Sequence, residues 1–251
     1  MSALRRGVRA VKVFLAATKA KLCFPEVFEL PYVLESFAYF APQQVQQVKN
    51  AKMFLLDSGA FTFLNSSKTV DFDDYIDRYA RFIVETDIRY FFELDVDDIV
   101  GYDKVKEYRR LLERKTGRRC IPVFHKSRGL DEYKRMVKEY DYIAIGGIAM
   151  GNIKRSEYKY FTPLLNYAHH AGCKVHGLGF TNTELLHRYP FDSVDSTSWI
   201  SGGRYGHVYR FDGRNMVATT DDTKRAVHHR IIDLHNLREW MKFQKYADCY
   251  L

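Results

Sequence analysis

Four short segments end in residues that can do chemistry: LLDSGAF (Leu55 to Phe61), FELDVDD (Phe92 to Asp98), IAIGGIAMG (Ile143 to Gly151) and FDSVDSTSW (Phe191 to Trp199). Each is an apolar run that stops at an acid or a glycine pair. Asp57 closes the first run, with Ser58 and Gly59 behind it. A carboxylate there serves as base, acid or ligand. It could also cap the next helix, but Asp71 and Asp73 are better placed for that. Asp95 ends the second run, close to Asp97 and Asp98. Three acids so near one another suit either a divalent cation or one recognition residue with two solvated neighbours. No matching His or carboxylate cluster stands elsewhere, which favours recognition and implies no metal or other cofactor. An aspartate there suits a guanine-like edge, accepting from N1–H and the exocyclic amine.

His125 follows the run Cys120 to Phe124 beside Lys126 and Arg128, placed either to contact a base or act as an acid, or to be a satisfied structural His. Gly146 and Gly147 permit close backbone approach, so their amides can meet a flat ligand; the bland reading is a tight turn. Phe61 and His176 are candidates to stack on the two faces of a ring. Asp195 is the better rim acid of Asp192 and Asp195, because Val194 completes the strand before it. A carboxylate nucleophile opposite a second carboxylate is the arrangement of retaining glycosyl chemistry. Ser196 and Thr197 are equally able to cap the following turn.

The elements that must position these residues alternate. Strands are expected at Val11 to Ala16, Met53 to Asp57, Tyr90 to Asp95, Cys120 to Phe124, Tyr142 to Gly146, Lys174 to Leu178 and Ser193 to Asp195, with an eighth near Met216 to Ala218. They lack strict alternation, as strands buried on both faces do. Helices are expected at Asp71 to Thr86, Asp103 to Lys115, Leu130 to Tyr140, Ser156 to Ala171 and Thr183 to Tyr189. The tail, Asp221 to Tyr246, reads as one long helix. The βα alternation implies parallel strands. The 251 residues are near the size of one (β/α)8 barrel. The expected fold is therefore α/β: a single TIM-type barrel domain over residues 1–251 with a C-terminal helix and no zinc subdomain. Strand-end acids would then share the rim where such barrels do chemistry.

Hydrophobic residues make up 46% and charged residues 28% of the chain, which is ordinary for a globular protein and argues against disorder. The net charge of +8 favours a polyanionic partner. The four cysteines, Cys23, Cys120, Cys173 and Cys249, form no CxxC-type zinc motif and fit a reducing compartment. No apolar run is long enough to span a bilayer. Lys12 interrupts the basic, apolar start, which reads as a lead-in to a strand. The expected location is the cytoplasm.

The order DSGAFT, LDVDD, VFHKS, IGGIAMGN, HGLGFT and FDSVDSTSWISGGRYG, from about Met53 to Gly213, resembles the signatures of the tRNA-guanine transglycosylase superfamily. The resemblance implies that Asp195 attacks C1′ of the target nucleoside and that Asp57 is the acid/base group. It implies that Ser58, Asp95, His125 and the amides around Gly146 and Gly147 hold the heterocycle, with Phe61 and His176 sandwiching it. Arg204 matches a basic residue after the nucleophile, where a phosphate lies. The chain lacks the family's Cys-rich zinc module and is shorter. In this it is similar to compact relatives, found notably in bacteriophages, that exchange guanine in DNA for a 7-deazaguanine of the preQ0 type. The implied activity is that of a pentosyltransferase modifying DNA through a glycosyl-aspartate, in a host cytoplasm if phage-encoded. Lys126, Arg128 and Arg204, with Arg155, Arg210 and Arg214, would hold phosphates. A compact tRNA enzyme and a non-catalytic nucleic-acid-binding barrel are the alternatives.

Overall fold

The computed structural model describes residues 10–64, 70–220 and 229–251, and within these leaves the side chains at 64 and 204 undescribed. Eight parallel strands form one sheet: β1 (Lys12–Ala16), β2 (Tyr32–Ser36), β3 (Met53–Asp57), β4 (Tyr90–Phe91), β5 (Val123–Phe124), β6 (Tyr142–Ile145), β7 (Lys174–Gly177) and β8 (Ser193–Ser196). Their order is β4-β3-β2-β1-β8-β7-β6-β5. β1 lies at the centre, with Leu15 opposite Val33 and Phe14 opposite Asp195. A separate antiparallel hairpin joins β9 (His207–Phe211) to β10 (Met216–Thr220).

The helices are α1 (Val45–Asn50), α2 (Ala60–Leu64), α3 (Phe72–Glu85), α4 (Asp97–Val100), α5 (Tyr102–Thr116), α6 (Leu130–Glu139), α7 (Phe161–His170), α8 (Thr183–Leu186), α9 (Ser201–Tyr205) and α10 (His229–Tyr250). Side chains alternate across the sheet. Phe14, Leu34, Leu55, Phe92, Val123 and Ala144 pack together on its concave side. Val13, Leu15, Val33, Leu56, Ile143 and Val194 share the second cluster with helix residues such as Tyr79, Leu112 and Tyr133. Both faces are covered, which is why the strands read as unbroken apolar runs.

The sheet is not the closed (β/α)8 barrel expected from the sequence. It is an open half-barrel whose edges stand 10 Å apart. The expected strands Tyr90–Asp95 and Cys120–Phe124 shrink to two residues each. Pro122 is one reason, since it has no N–H to donate to a ladder. Beyond these short strands the main chains of the two edges meet in one isolated bridge, Phe92 with Ile121, where the Ile121 amide donates to Phe91 O (2.8 Å) and the Glu93 amide to Ile121 O (3.0 Å).

Charge holds this gap. Glu93 Oε1 accepts from the Val123 amide (2.8 Å) and from Arg128 Nη1 (2.7 Å), while Oε2 accepts from Arg109 Nε (2.5 Å). Arg128 also donates to both oxygens of Asp97, at 2.8 and 2.6 Å, and stacks over the Tyr102 ring. Burial pushes the Glu93 pKa up, but the two guanidinium groups outweigh it and hold the carboxyl below its usual range.

The remaining departures also have local causes. The segment Met216–Ala218 is not a sheet strand but part of β10 in the hairpin. The eighth sheet strand is β2, which the sequence reading missed. The single helix expected over Ser156–Ala171 begins as a 3-10 turn, Arg155–Tyr160, before α7, because Pro163 fits only a first helical turn. The expected tail helix forms as α10; residues 221–228 lie outside the described set. It does not close a barrel but covers β1 and β2, with Gln244 Nε2 donating to Val13 O (2.7 Å) and Tyr32 O (2.9 Å). Its Asn236 and Glu239 accept from the β9 amides of Tyr209 and Phe211, each at 2.8 Å. Among the described residues no helix is long and apolar enough to cross a membrane.

Replacing Glu93 by Gln would leave Arg109 and Arg128 buried without their counter-charge. The expected loss is about 3–5 kcal/mol of stability, read as a lower urea midpoint. A loss below ~1 kcal/mol would show that the ion cluster does not hold the edge.

Candidate functional site

The C-terminal ends of the strands surround a cavity of about 810 Å³. Strand alternation turns Asp57 and Asp195 into it, each two residues beyond an inward neighbour, Leu55 and Ser193 respectively. Asp95 and His125 follow the two edge strands, Gly146 and Gly147 follow β6, and Gly179 follows β7; all line the same space. A second cavity of about 330 Å³ adjoins it, sharing Phe61, Asp95, His125, Gly146, Gly147 and Met150 and running out to Lys126.

Asp95 and His125 come from opposite edges of the sheet and meet at 2.8 Å, Nε2 to Oδ2. Burial raises the Asp95 pKa against the pull of His125. Burial alone would lower His125, but the hydrogen bond and charge of Asp95 win and raise it. The two side chains thus form one hydrogen-bonded pair in the cavity wall. Gly146 makes room for the ring: a Cβ there would stand 2.7 Å from His125 Cε1 and 2.8 Å from Val123 Cγ1. Its amide is not available to a ligand, because it donates to Phe124 O within the sheet at 2.9 Å. Gly147, at φ +80°, supplies the left-handed turn that follows.

Asp57 Oδ2 accepts from the Gly59 amide at 2.9 Å. Burial, then the nearby charges of Asp95 and Asp195, push its pKa up to about 7 against that bond. Asp57 is thus able to give or take a proton near neutrality. Asp195 is held differently. Its Oδ1 accepts from the Gly179 amide (2.7 Å) and lies 3.2 Å from His176 Nε2. Asp192 is at the other end of β8, bound to His169 and to the Val175 amide, each at 2.8 Å.

Several expected roles change. His176 does not stack on a ligand; it is fully buried beneath the floor, against the Phe14 and Phe92 rings, with Nδ1 2.7 Å from Ser193 Oγ. It positions Asp195. Ser58 is fully buried and does not line either cavity, since it follows the inward Asp57 and points to the other side. Arg128 is not a phosphate contact, because its guanidinium is buried between Glu93 and Asp97. Lys126 is exposed at the rim and pairs with Glu157 at 2.6 Å. Phe61 is 61% exposed at the mouth. The side chain of Arg204 lies outside the described set. Among the described residues no three His, Cys, Asp or Glu side chains cluster as a metal site requires.

The sequence reading missed Gly179, Ala17, Lys19 and Tyr39, all in the cavity wall. Gly179 stands in the HGLGFT run already singled out, and its φ of +69° is the kind of turn a glycine signals. Tyr39 was hidden with β2.

No protein-family model matches the chain, and no curated protein matches it at a significant level. The guanine-exchange activity implied by the resemblance depends on a closed barrel mouth, and the open sheet, in which β4 and β5 do not pair as strands, overturns it. The assignments as a DNA or tRNA transglycosylase, as a pentosyltransferase, and as a binding barrel are corrected accordingly. What stands in their place is a carboxylate-lined cavity at the end of an open parallel sheet.

Because the folded-state pKa of Asp57 is raised from 3.8 to about 7, the folded chain holds a proton that the unfolded chain releases. Stability from this group is therefore present at low pH and is lost as pH rises through that window. Asp57→Asn should gain on the parent by about 1–2 kcal/mol between pH 5 and pH 8, after discounting for solvent at the partly exposed carboxyl. Paired denaturation curves at the two pH values check this. A difference that does not change with pH would contradict it.

Proposed function

We propose that this cavity binds a planar nitrogen heterocycle with a guanine-like edge, of the 7-deazaguanine type. We further propose that the chain is related to the tRNA-guanine transglycosylase superfamily through its base-recognition elements. The reading concerns recognition of the ring and proton exchange with it.

The Asp95–His125 pair carries the proposal. A buried carboxylate with one oxygen engaged by an imidazole keeps acceptor capacity for two adjacent N–H groups. The lactam N–H and exocyclic amine of guanine supply such a pair. Adenine presents an acceptor at the corresponding ring nitrogen and would leave the carboxylate facing a lone pair. Hydrogen-bond complementarity of this kind discriminates more sharply than shape, because the wrong ligand leaves a buried polar group unpaired. Gly146 fixes the His125 ring against the wall. Phe61 and Tyr39, both exposed at the mouth, offer apolar surface to a flat ring. Asp57 is the group suited to trade a proton with the bound ring.

Titration calorimetry with guanine, 7-cyano-7-deazaguanine and adenine tests the reading. The first two should bind and adenine should not. Asp95→Asn, with its fold verified by circular dichroism, should weaken guanine binding by about 10- to 100-fold. Equal affinity for adenine, or no binding of any ring, would sink the reading.

A further inference from the structure

We infer that Asp195 exchanges protons with solvent at the opposite end of the sheet, through His176, Ser193 and Tyr142. The inference does not depend on which ligand the cavity takes.

The four side chains form one unbroken column. Asp195 Oδ1 lies 3.2 Å from His176 Nε2. His176 Nδ1 lies 2.7 Å from Ser193 Oγ, and the Tyr142 hydroxyl is bonded to that same Oγ. Register brings them together. β7 lies between β6 and β8, with His176 opposite Ala144 on one side and Ser193 on the other. Tyr142 and Ala144 are two apart on β6, as Ser193 and Asp195 are on β8, so all four side chains share the concave face.

The two ends of the column border different cavities. Asp195 lines the cavity of about 810 Å³ at the C-terminal ends of the strands. Tyr142 lines a cavity of about 970 Å³ at their N-terminal ends. Lys174 and Lys12, the register partners of Tyr142 and Ser193, line that lower cavity with Arg89 and Asp141. Walls so charged hold water. Between the cavities the path is dry. His176 and Ser193 are buried, and the Phe14 and Phe92 rings pack on the imidazole. Each imidazole nitrogen is bonded to a group that can take or give a proton.

Donors and acceptors fit a transfer along this line. With Asp195 ionised, the Tyr142 hydroxyl donates to Ser193, the Ser193 hydroxyl to His176 Nδ1, and His176 Nε2–H to Asp195. Hydronium on the lower side gives a proton to the Tyr142 oxygen and leaves as water, while Tyr142 passes its own proton to Ser193. Ser193 passes its own to Nδ1, and the Nε2 proton moves to Asp195 Oδ1. Tyr142, Ser193 and His176 each form one bond to hydrogen and break one. Every donor ends reversed, and Asp195 ends protonated. Burial holds the Tyr142 pKa above its usual value, so the hydroxyl passes a proton without remaining ionised.

Asp57, Asp95, His125 and Lys19 share the upper wall with Asp195, and Tyr90 and Asp192 lie near Tyr142. Among the described residues none of these bonds to His176 Nδ1, whose partner is Ser193. A ligand that fills the upper cavity therefore leaves Asp195 connected to a proton supply.

The test follows the His176 ring proton by heteronuclear NMR on the full chain labelled at the histidine nitrogens. A buried Nε2–H leaves only when Nδ1 receives another proton. Its exchange with solvent should outpace that of the β7 backbone amides, which must wait for the strand to open. Tyr142→Phe keeps the ring and removes one link; Ser193→Ala removes the next. Each should slow ring exchange by about tenfold or more relative to the β7 amides of the same sample. A ring-to-amide ratio that survives both substitutions overturns the inference. So does ring exchange in the parent that only keeps pace with the amides, a result that decides the matter even where a variant does not fold.

Discussion

The Glu93 carboxylate sits where the sheet stops being a sheet. Its own amide donates to Ile121 O at 3.0 Å, and its side chain accepts from the Val123 amide across the gap. With the Ile121 amide bonded to Phe91 O at 2.8 Å, these few contacts join the two ends of a sheet in which β4 and β5 do not pair as strands. A buried carboxylate costs several kcal/mol in lost hydration and survives only with good partners. Arg109 and Arg128 are those partners, and each is ordered in turn by Tyr102. The Asp95–His125 pair hangs from this cluster. Asp95 lies two residues beyond Glu93, and His125 two beyond Val123, so both inherit their positions from the ion pairs beneath.

Three aspartates in one cavity divide their roles through their partners. Asp95 has an imidazole. Asp195 has a backbone amide and a buried histidine. Asp57 accepts from the Gly59 amide and faces the charges of the other two, and burial with those charges pushes its pKa up to about 7. The difference needs no change of residue type. It follows from which neighbours the strand ends bring within reach.

Much of this was legible in the sequence, for a simple reason. An acid or glycine at the end of an apolar run marks the point where a buried strand meets its mouth, and Asp57, Asp95, His125, Gly146, Gly147 and Asp195 all line the cavity. What failed depends on partners distant in the chain. β2 was hidden because Glu35 breaks its apolar run, and that glutamate is satisfied by Thr18, which local pattern does not reveal. Arg128 reads as a surface cation until Glu93 is placed beside it. His176 reads as a rim residue until the floor is seen to lie above it. The βα alternation dictates parallel order, but closure is decided by a few hydrogen bonds at the last pair of edges. A proline at position 122 and two strands of two residues were enough to leave those edges apart.

The open edge also changes how the site must respond to a ligand. Asp95 and His125 are on opposite sides of the gap, so their 2.8 Å contact is itself a bond between the two edges. A ligand that binds Asp95 competes for, or reinforces, the charge that holds His125 to it. Whatever strengthens that contact draws the edges together, and whatever draws the edges together strengthens the contact, because the coupling between two equilibria is reciprocal. In a closed barrel the rungs would set the spacing and the ligand would meet a fixed frame. Here the frame at this corner consists of ion pairs, the Phe92–Ile121 bridge and the Asp95–His125 pair. Ligand affinity and the stability of the sheet edge are therefore parts of one free energy.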